Sequence, residues 1–530
     1  MPPLTPLNVF MAALPLIVVL YLMIAHNWSG SRAGIAAWAT AVILALTVFG
    51  GDWRLVTVSF GRSLLLSFFV LYIIWMALFL YHAINEAGAI TVIGEALRKL
   101  TQDQAGQALL LGWVFGSFLQ GAAGFGVPAA VVAPLLVGVG LRPETAVVVA
   151  LVGHAWAVTF GSLGSSFFVL VAATDFTGAE LAGPSAALLA VACLACALAV
   201  LWAVGGAKAV RQRGFFALRL SLVMGGGQWL LASAGFWSLA AFGAAMVGVG
   251  VAVLDLRFFS RQTETGAAFA GVQASPGTLW RRLRADGSGA ALLAALLPYM
   301  VLTIIILIGQ TVLQTPLNQL VLNWQFPEIR TAYGWTTAAG PGQGISLFGH
   351  PGALLLYGGL FTFFWFRWRG VLQADMVYDG RKILRKTVKS ATQTTISIVT
   401  LLAMAVTMQY AGMTQLLAES LSRQTGAIYP LLSPFIGALG AFMTGSNANS
   451  NVVFGQLQQQ TALVLGLAVP WILAGQTAGG AIGSVFAPAK VVIGCSTVAA
   501  PEGAVLKRTA VYGVLVTAVI SVVVAIIVRL

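Results

Sequence analysis

Gly116-Ser-Phe-Leu-Gln-Gly121, continued by Ala-Ala-Gly-Phe-Gly-Val-Pro128, and Gly440-Ala-Phe-Met-Thr-Gly445, continued by Ser-Asn-Ala-Asn-Ser-Asn451, read as two copies of one element, 324 residues apart. About 30 residues beyond each copy comes a second patch: Gly153-His154 with Gly161-Ser162, and Gly475-Gln476 with Gly483-Ser484. Lipid offers no hydrogen bonds to an open backbone, so a helix broken at membrane depth must be buried in protein or line a cavity. Apolar segments broken by Gly, Pro, Ser and Asn at matching places in two halves therefore point to a carrier's binding site.

The composition demands a membrane setting. Of 530 residues 59% are hydrophobic and 8% charged, where a soluble domain carries about 25% charged residues. Apolar windows of about 20 residues recur, each long enough to span a bilayer. They lack the period-2 alternation of a barrel. The expected fold is an all-α polytopic membrane protein of roughly 12–16 membrane segments, with two repeats that contain broken helices or re-entrant hairpins. The broken segments fall at 107–140, 145–173 and 470–500; the plain spans include 185–204 and 217–233. Residues 1–62 hold the N-terminal spans, 63–205 the first repeat, 206–392 central scaffold spans with cytoplasmic linkers, and 393–530 the second repeat. The number of spans between the repeats decides whether they form an inverted repeat.

The net charge of +13 fits the positive-inside bias of short loops; nucleic-acid binding would need a basic face on a folded domain. Basic clusters at Lys208–Arg219, Arg257–Arg284, Arg367–Lys389 and Lys507-Arg508 are placed in the cytoplasm. Among them Lys382, Arg385, Lys386 and Lys389 have the spacing of an amphipathic helix on an anionic leaflet. The loop 314–344, with Trp324, Tyr333 and Trp335, is then external, as a packed loop or a substrate lid. The polar segment 256–286 is the main linker. No basic region precedes the first apolar run, 9–25, which reads as a span rather than a signal peptide. The chain belongs in a plasma membrane (the bacterial inner membrane) as a multi-pass protein in contact with lipid. Cys193, Cys196 and Cys495 sit in apolar runs and read as small core residues.

The polar residues at the breaks are the candidate substrate ligands. Residues 121–128 hold three glycines and a proline; half-helices meeting there aim free N–H groups, with the positive end of their dipoles, at an anion. A tight Gly-x-x-x-Gly crossing is the plainer reading, and Gly112 with Gly116 fits it. Residues 444–451 carry six polar side chains in eight positions, enough to satisfy a broken backbone and bind a carboxylate or hydroxyl. The substrate-binding candidates are Gln120, Gly121, Gly124, Gly126, His154, Thr444, Ser446, Asn447, Asn449, Gln476 and Lys490. Lys490, in an apolar run, either snorkels to an interface or serves as counter-charge to an anionic substrate. His154 and Glu86 are candidates for coupling to an ion, a proton or sodium. The four histidines are scattered, no phosphate-binding loop is present, and no acid or metal cluster suggests an enzyme, a metal or a cofactor.

At these same residues the chain resembles the L-lactate permease family. Phe115–Gly126 looks like its first signature, Leu439–Asn451 like its second, and Gln476-Thr-Ala-Gly-Gly480 with Ala487-Pro488 like a third. The resemblance implies proton-linked transport of L-lactate or glycolate, no cofactor, an ion-transporter-type fold with paired re-entrant hairpins, an elevator-type motion and a homodimer. It also implies an acid at the places of Gln120 and Asn447, and an uncharged polar residue at that of Lys490. Two acids are thus neutral here and one base is gained. The other readings are a uniporter, an exchanger, a carrier of a sulfonate or dicarboxylate, and a passive anion channel.

Overall fold

Short helices broken by glycine and proline lie between long apolar ones. The computed structural model describes residues 2–26, 28–98, 103–124, 126–259, 288–372 and 378–529, with the backbone alone for 255–259 and 288–289. Phe125 of the first motif and Arg261, Arg281, Arg282 and Arg284 of the linker lie outside the described residues. The chain opens with α1 (Pro6–Ala25), α2 (Gly30–Thr47) and α3 (Trp53–Glu86). Asp52 caps α3 by accepting the Leu55 N–H at 2.8 Å. The short α4 (Ala89–Arg98) leads to the first repeat. There α5 (Gln104–Gln107), a π-helical stretch (Ala108–Phe115) and α6 (Gly116–Ala122) make one arm, and α7 (Val127–Gly138) the other. Next come α8 (Pro143–Gly153), a break, and α9 (Gly161–Ala173).

The helix α10 (Gly178–Ser233) has 56 residues, about 84 Å if straight and far too long for one bilayer crossing. It folds double at Gly205 and Gly206, the latter at φ +57°. A Cβ added at Gly225 would lie 3.0 Å from Ala190, and one at Gly183 would lie 3.6 Å from Ser233. The two arms are therefore antiparallel and correspond to the spans expected at 185–204 and 217–233. Then follow α11 (Ala240–Phe259), α12 (Ser288–Gln310) and α13 (Gln314–Leu317).

The segment expected to be external is not purely a loop. It pairs β1 (Val321–Leu322) with β6 (Ile345–Ser346), β2 (Gln325–Phe326) with β5 (Gly340–Pro341), and β3 (Ile329–Arg330) with β4 (Thr336–Thr337), all antiparallel. The result is one long interrupted ribbon. Its tip is tied down: the Ala332 N–H donates to the Gly50 carbonyl at 2.7 Å, and Trp335 Nε1 to the Gln409 carbonyl at 3.1 Å.

The second half consists of α14 (Pro351–Arg369), α15 (Gly380–Tyr410), α16 (Met413–Thr425), α17 (Tyr429–Thr444), α18 (Asn447–Val464), α19 (Val469–Val485), α20 (Pro488–Val498) and α21 (Glu502–Arg529). The Lys382–Lys389 stretch is the first part of α15 rather than a separate surface helix. Lys382 and Lys386 both pair with Glu86 at the end of α3. Among the described residues nine helices are long and apolar enough to cross a membrane, or ten with the pair bent by 52° at 157–161. The number lies below the expected 12–16 because hairpin arms are short and the doubled α10 counts once.

Hairpin contacts fix the repeat symmetry. Tyr429 OH bonds Gln458 at 2.8 Å and Ser450 Oγ bonds the Gly437 carbonyl at 2.8 Å, so α17 and α18 are antiparallel arms of one re-entrant hairpin. In the first repeat α5–α6 and α7 form the other, their far ends joined by Gln104 Nε2 to the Gly140 carbonyl at 3.3 Å. That end carries Asp103, paired with Arg213 of the basic cluster at 2.9 Å, the side that the positive-inside bias assigns to the cytoplasm. The far end of the α17–α18 hairpin lies at the opposite end of the first arm of α10, beside the loop at Asp175. The two hairpins enter from opposite sides, as an inverted repeat requires.

Candidate functional site

The second repeat is held by backbone against backbone. A Cβ at Gly437 would collide with the Gln476 carbonyl, one at Gly479 with Pro434, and one at Gly483 with Ala438. Only glycine lets α17 and α19 approach this closely. In the first repeat Gly112 and Gly153 make the equivalent contact between the first hairpin arm and α8. The π-helical turn at Ala108–Phe115 lies in that arm, and such wide turns often accompany functional sites.

At the tip of the outer hairpin Gly445 turns at φ +70°, open to glycine without strain. Thr444 Oγ1 donates to the Gly440 or Ser446 carbonyl (2.8 and 3.0 Å), and Ser446 Oγ caps α18 through the Asn449 N–H at 3.3 Å. Thr444 and Ser446 thus close the tip. Asn449 points away, its Nδ2 donating to Ser397 of α15 at 3.2 Å.

Asn447 and Asn451 point inward. Asn447 Nδ2 donates to Thr159 Oγ1 (3.1 Å) and Thr477 Oγ1 (3.3 Å); Asn451 Nδ2 donates to Thr477 Oγ1 (3.0 Å) and the Ser166 carbonyl (3.0 Å). Thr159 Oγ1 also donates to the Thr477 carbonyl at 3.1 Å. Break residues of both repeats therefore meet in one polar knot. Asn447 Oδ1 and Asn451 Oδ1 are buried there without a donor. A buried unsatisfied acceptor costs about 1–3 kcal/mol, a cost that a bound hydrogen-bond donor would remove.

Gln476 lies one residue off this knot. Its Nε2 donates to Ser450 Oγ at 3.0 Å and its Oε1 accepts from Gln458 at 2.8 Å, inside the outer hairpin. Thr159 and Thr477 were not among the sequence candidates, and Asn451 lay within the candidate run 444–451 without being singled out. One helical step of about 100° separates the inward-facing Thr477 from Gln476. The usable signal was that Thr159 falls within the break and Asn451 ends the polar run.

Lys490 sits in the first turn of α20, where the helix dipole opposes a cation. Its Nζ donates to Ser484 Oγ at 3.1 Å. Added Cβ atoms would place Gly445 of the outer hairpin 3.9 Å from Ala489, and Gly126 of the inner hairpin 3.1 Å from Ile493. Helix α20, which carries Lys490, thus lies beside both tips. Asn447 packs on Gly480, one turn of α19 before Ser484, so amide and ammonium are anchored about 6 Å apart along the helix.

In the inner hairpin Gly124 and Gly126 have φ of +62° and +85°. Ser162 Oγ donates to the Ala123 carbonyl at 3.2 Å. Ser162 and Leu163 are themselves at positive φ, 47° and 56°, a strained geometry for side-chain-bearing residues. Gln120 packs on Gly161 and Gly124, with its Oε1 buried and unbonded. Gly121 faces Phe242 of α11 rather than the site. His154 Nδ1 bonds the Ala150 carbonyl at 2.6 Å, leaving Nε2 buried and unbonded. Glu86 is not brought to this site: both its oxygens are taken by Lys382 (2.8 Å) and Lys386 where α3 meets α15. No cluster of metal-ligating residues occurs among the described residues.

A sequence model described as L-lactate permease matches residues 8–530. Glycolate permease GlcA of Escherichia coli K12 is 26% identical, with 92% of this chain and 90% of that one covered. The L-lactate permease of Streptococcus iniae is 26% identical over 88% and 94%, and that of Bacillus subtilis 24% over 93% and 90%. Among solved structures, the YdaH transporter of Alcanivorax borkumensis, described as having an unusual topology, aligns with a TM-score of 0.43 at 14% identity, covering 86% of this chain and 84% of that one.

Proposed function

The chain belongs to the L-lactate permease family, and on that premise we propose that it carries a small 2-hydroxy-monocarboxylate, L-lactate or glycolate, across the bacterial inner membrane. The observation that carries this reading is a lone ammonium, Lys490, bonded to Ser484 about one turn of α19 from the orphaned acceptor Asn447 Oδ1, beside the tips of two opposed hairpins. A carboxylate takes the ammonium and the N–H groups of the half-helices. The adjacent hydroxyl donates to an asparagine oxygen. A dicarboxylate would need a second cation, and the broken segments offer Lys490 alone.

Lys490 stands as a fixed positive charge in a site where Gln120 and Asn447 are neutral. His154, whose Nε2 is buried and unbonded, is the group that takes up a proton with the substrate. Exposure alternates when the hairpins, α9, α19 and α20 move as a body against α3 and α15. The contact of Asn449 with Ser397 lies on that sliding boundary.

Uptake of labelled L-lactate and glycolate into proteoliposomes, with and without an imposed proton gradient, tests the reading. Saturable uptake that accumulates with the gradient is expected. Equilibration indifferent to the gradient would make the protein a uniporter or exchanger, as neutral Gln120 and Asn447 would favour. No uptake of either acid would overturn the substrate assignment.

A further inference from the structure

On the outer side a cavity of about 440 Å³ opens between the transport repeats and the scaffold. Its walls are α3, α15, the ribbon at Pro341–Gln343, the end of α9 and the loop to α10. Phe168 and Gln456 line it. Ser166, two residues before Phe168, accepts Asn451 of the polar knot through its carbonyl. The cavity therefore sits above the knot, along the seam between α9 and α18.

Two of its lining residues are charged, Arg62 and Asp175. The carboxylate of Asp175 is committed: Oδ2 accepts from Gln456 (3.3 Å) and Gln459 (2.7 Å), and the backbone N–H of Asp175 donates to Gln459 Oε1 at 2.9 Å. Arg62 is half-buried and makes no ion pair among the described residues. Its hydrogen-bond partner is the hydroxyl of Tyr410 at 3.2 Å, and its guanidinium lies 6.0 Å from that ring's centroid. A guanidinium has five donors in a planar fork suited to a carboxylate, and one neutral hydroxyl leaves most of them free. The apolar wall at Leu66, Phe69, Phe168 and Trp237 lowers the local dielectric and strengthens attraction to an anion.

We propose that Arg62 is an outer capture site, which binds the carboxylate of the substrate in this vestibule before it passes down the α9–α18 seam. The site rests on the substrate class proposed above. Tyr410 holds the guanidinium toward the cavity. Because an arginine keeps its charge across physiological pH, capture at Arg62 is independent of pH, unlike any proton-linked step deeper in the protein.

The test is uptake kinetics of labelled L-lactate in proteoliposomes oriented to expose the outer face, for wild type, R62Q, R62K and R62C. R62Q should raise KM on the order of 10-fold, the loss expected for one charge-assisted contact, and leave Vmax within about twofold. R62K should fall between. R62C should behave as R62Q and recover when treated with aminoethyl methanethiosulfonate, which restores a cation, but not with the neutral methyl methanethiosulfonate. Cys193, Cys196 and Cys495 are buried and do not compete. An unchanged KM in R62Q, or equal recovery with the neutral reagent, would overturn the capture site and make Arg62 a strut between α3 and α15. Should R62Q not assemble, the two reagents on R62C decide the matter. Absence of wild-type uptake would instead overturn the substrate reading together with this inference.

Discussion

At the residue scale the site depends on which polar atoms lack partners. Thr444, Ser446 and Asn449 are satisfied within the hairpin tip or by α15, whereas Asn447 and Asn451 each leave an oxygen buried and free. Replacing Asn447 by Asp puts a titratable acid at that oxygen, against Thr159 and Thr477. N447D should make L-lactate uptake depend more steeply on an imposed proton gradient than the wild type, since the new carboxylate must be protonated to keep its place beside a bound anion. Initial rates across a series of gradients measure this, and an unaltered gradient dependence would show that position 447 does not face the substrate. Of the candidates read from sequence, Asn447 lies in the polar knot and Lys490 on the helix beside both tips, while Gln476, Asn449 and Gly121 face other elements. Motif spacing says where a helix breaks; it does not say which way each side chain turns at the break. Glu86 illustrates the limit: its partners Lys382 and Lys386 are some 300 residues away along the chain, and nothing local to it distinguishes a coupling acid from half of an ion-pair cluster.

At the scale of elements, glycine spacing carries the architecture. Gly437, Gly479 and Gly483 set the distance between α17 and α19. G479A drives a methyl group into the Pro434 carbonyl and should cost about 1–3 kcal/mol as overpacking, lowering the thermal unfolding midpoint in detergent. G250A, where nothing lies within 4 Å, should leave it unchanged. Equal midpoints for the two variants would mean that the close crossing does not hold the second repeat. These breaks were legible because Gly, Pro, Ser and Asn punctuate runs that are otherwise apolar. The doubling of α10 was legible as two spans, 185–204 and 217–233, with the basic cluster Lys208–Arg219 between them; the structure puts the turn at Gly205-Gly206. The external ribbon was not: its strands are two residues long, too short to show an alternating pattern, and its pairing is set by segments up to 25 residues apart.

At the scale of the whole molecule, two hairpins enter from opposite ends, and the breaks of both repeats meet at one polar knot. The outer hairpin arm α18 lies against α9 through Asn451 and Ser166, and the inner hairpin arm α7 lies against α20 through Ala129 and Gly494. The sequence marked both halves as repeats but left their relative direction open, because that depends on which turns cross the membrane and which re-enter. If the site moves as a body past the scaffold, tying Asn449 to Ser397 must stop it. The double variant S397C/N449C, oxidised to a disulfide, should lose lactate uptake and regain it on reduction. Full activity of the cross-linked protein would contradict the sliding boundary between α18 and α15. The central claim, that both hairpins converge on one fixed cation which binds the substrate carboxylate, is tested most directly by the apparent affinity for L-lactate of K490M and K490R in proteoliposomes. The account predicts that K490M loses on the order of 10- to 100-fold in affinity, the scale of one charged hydrogen bond, while K490R, which keeps the charge, loses much less. Wild-type affinity in K490M would contradict it.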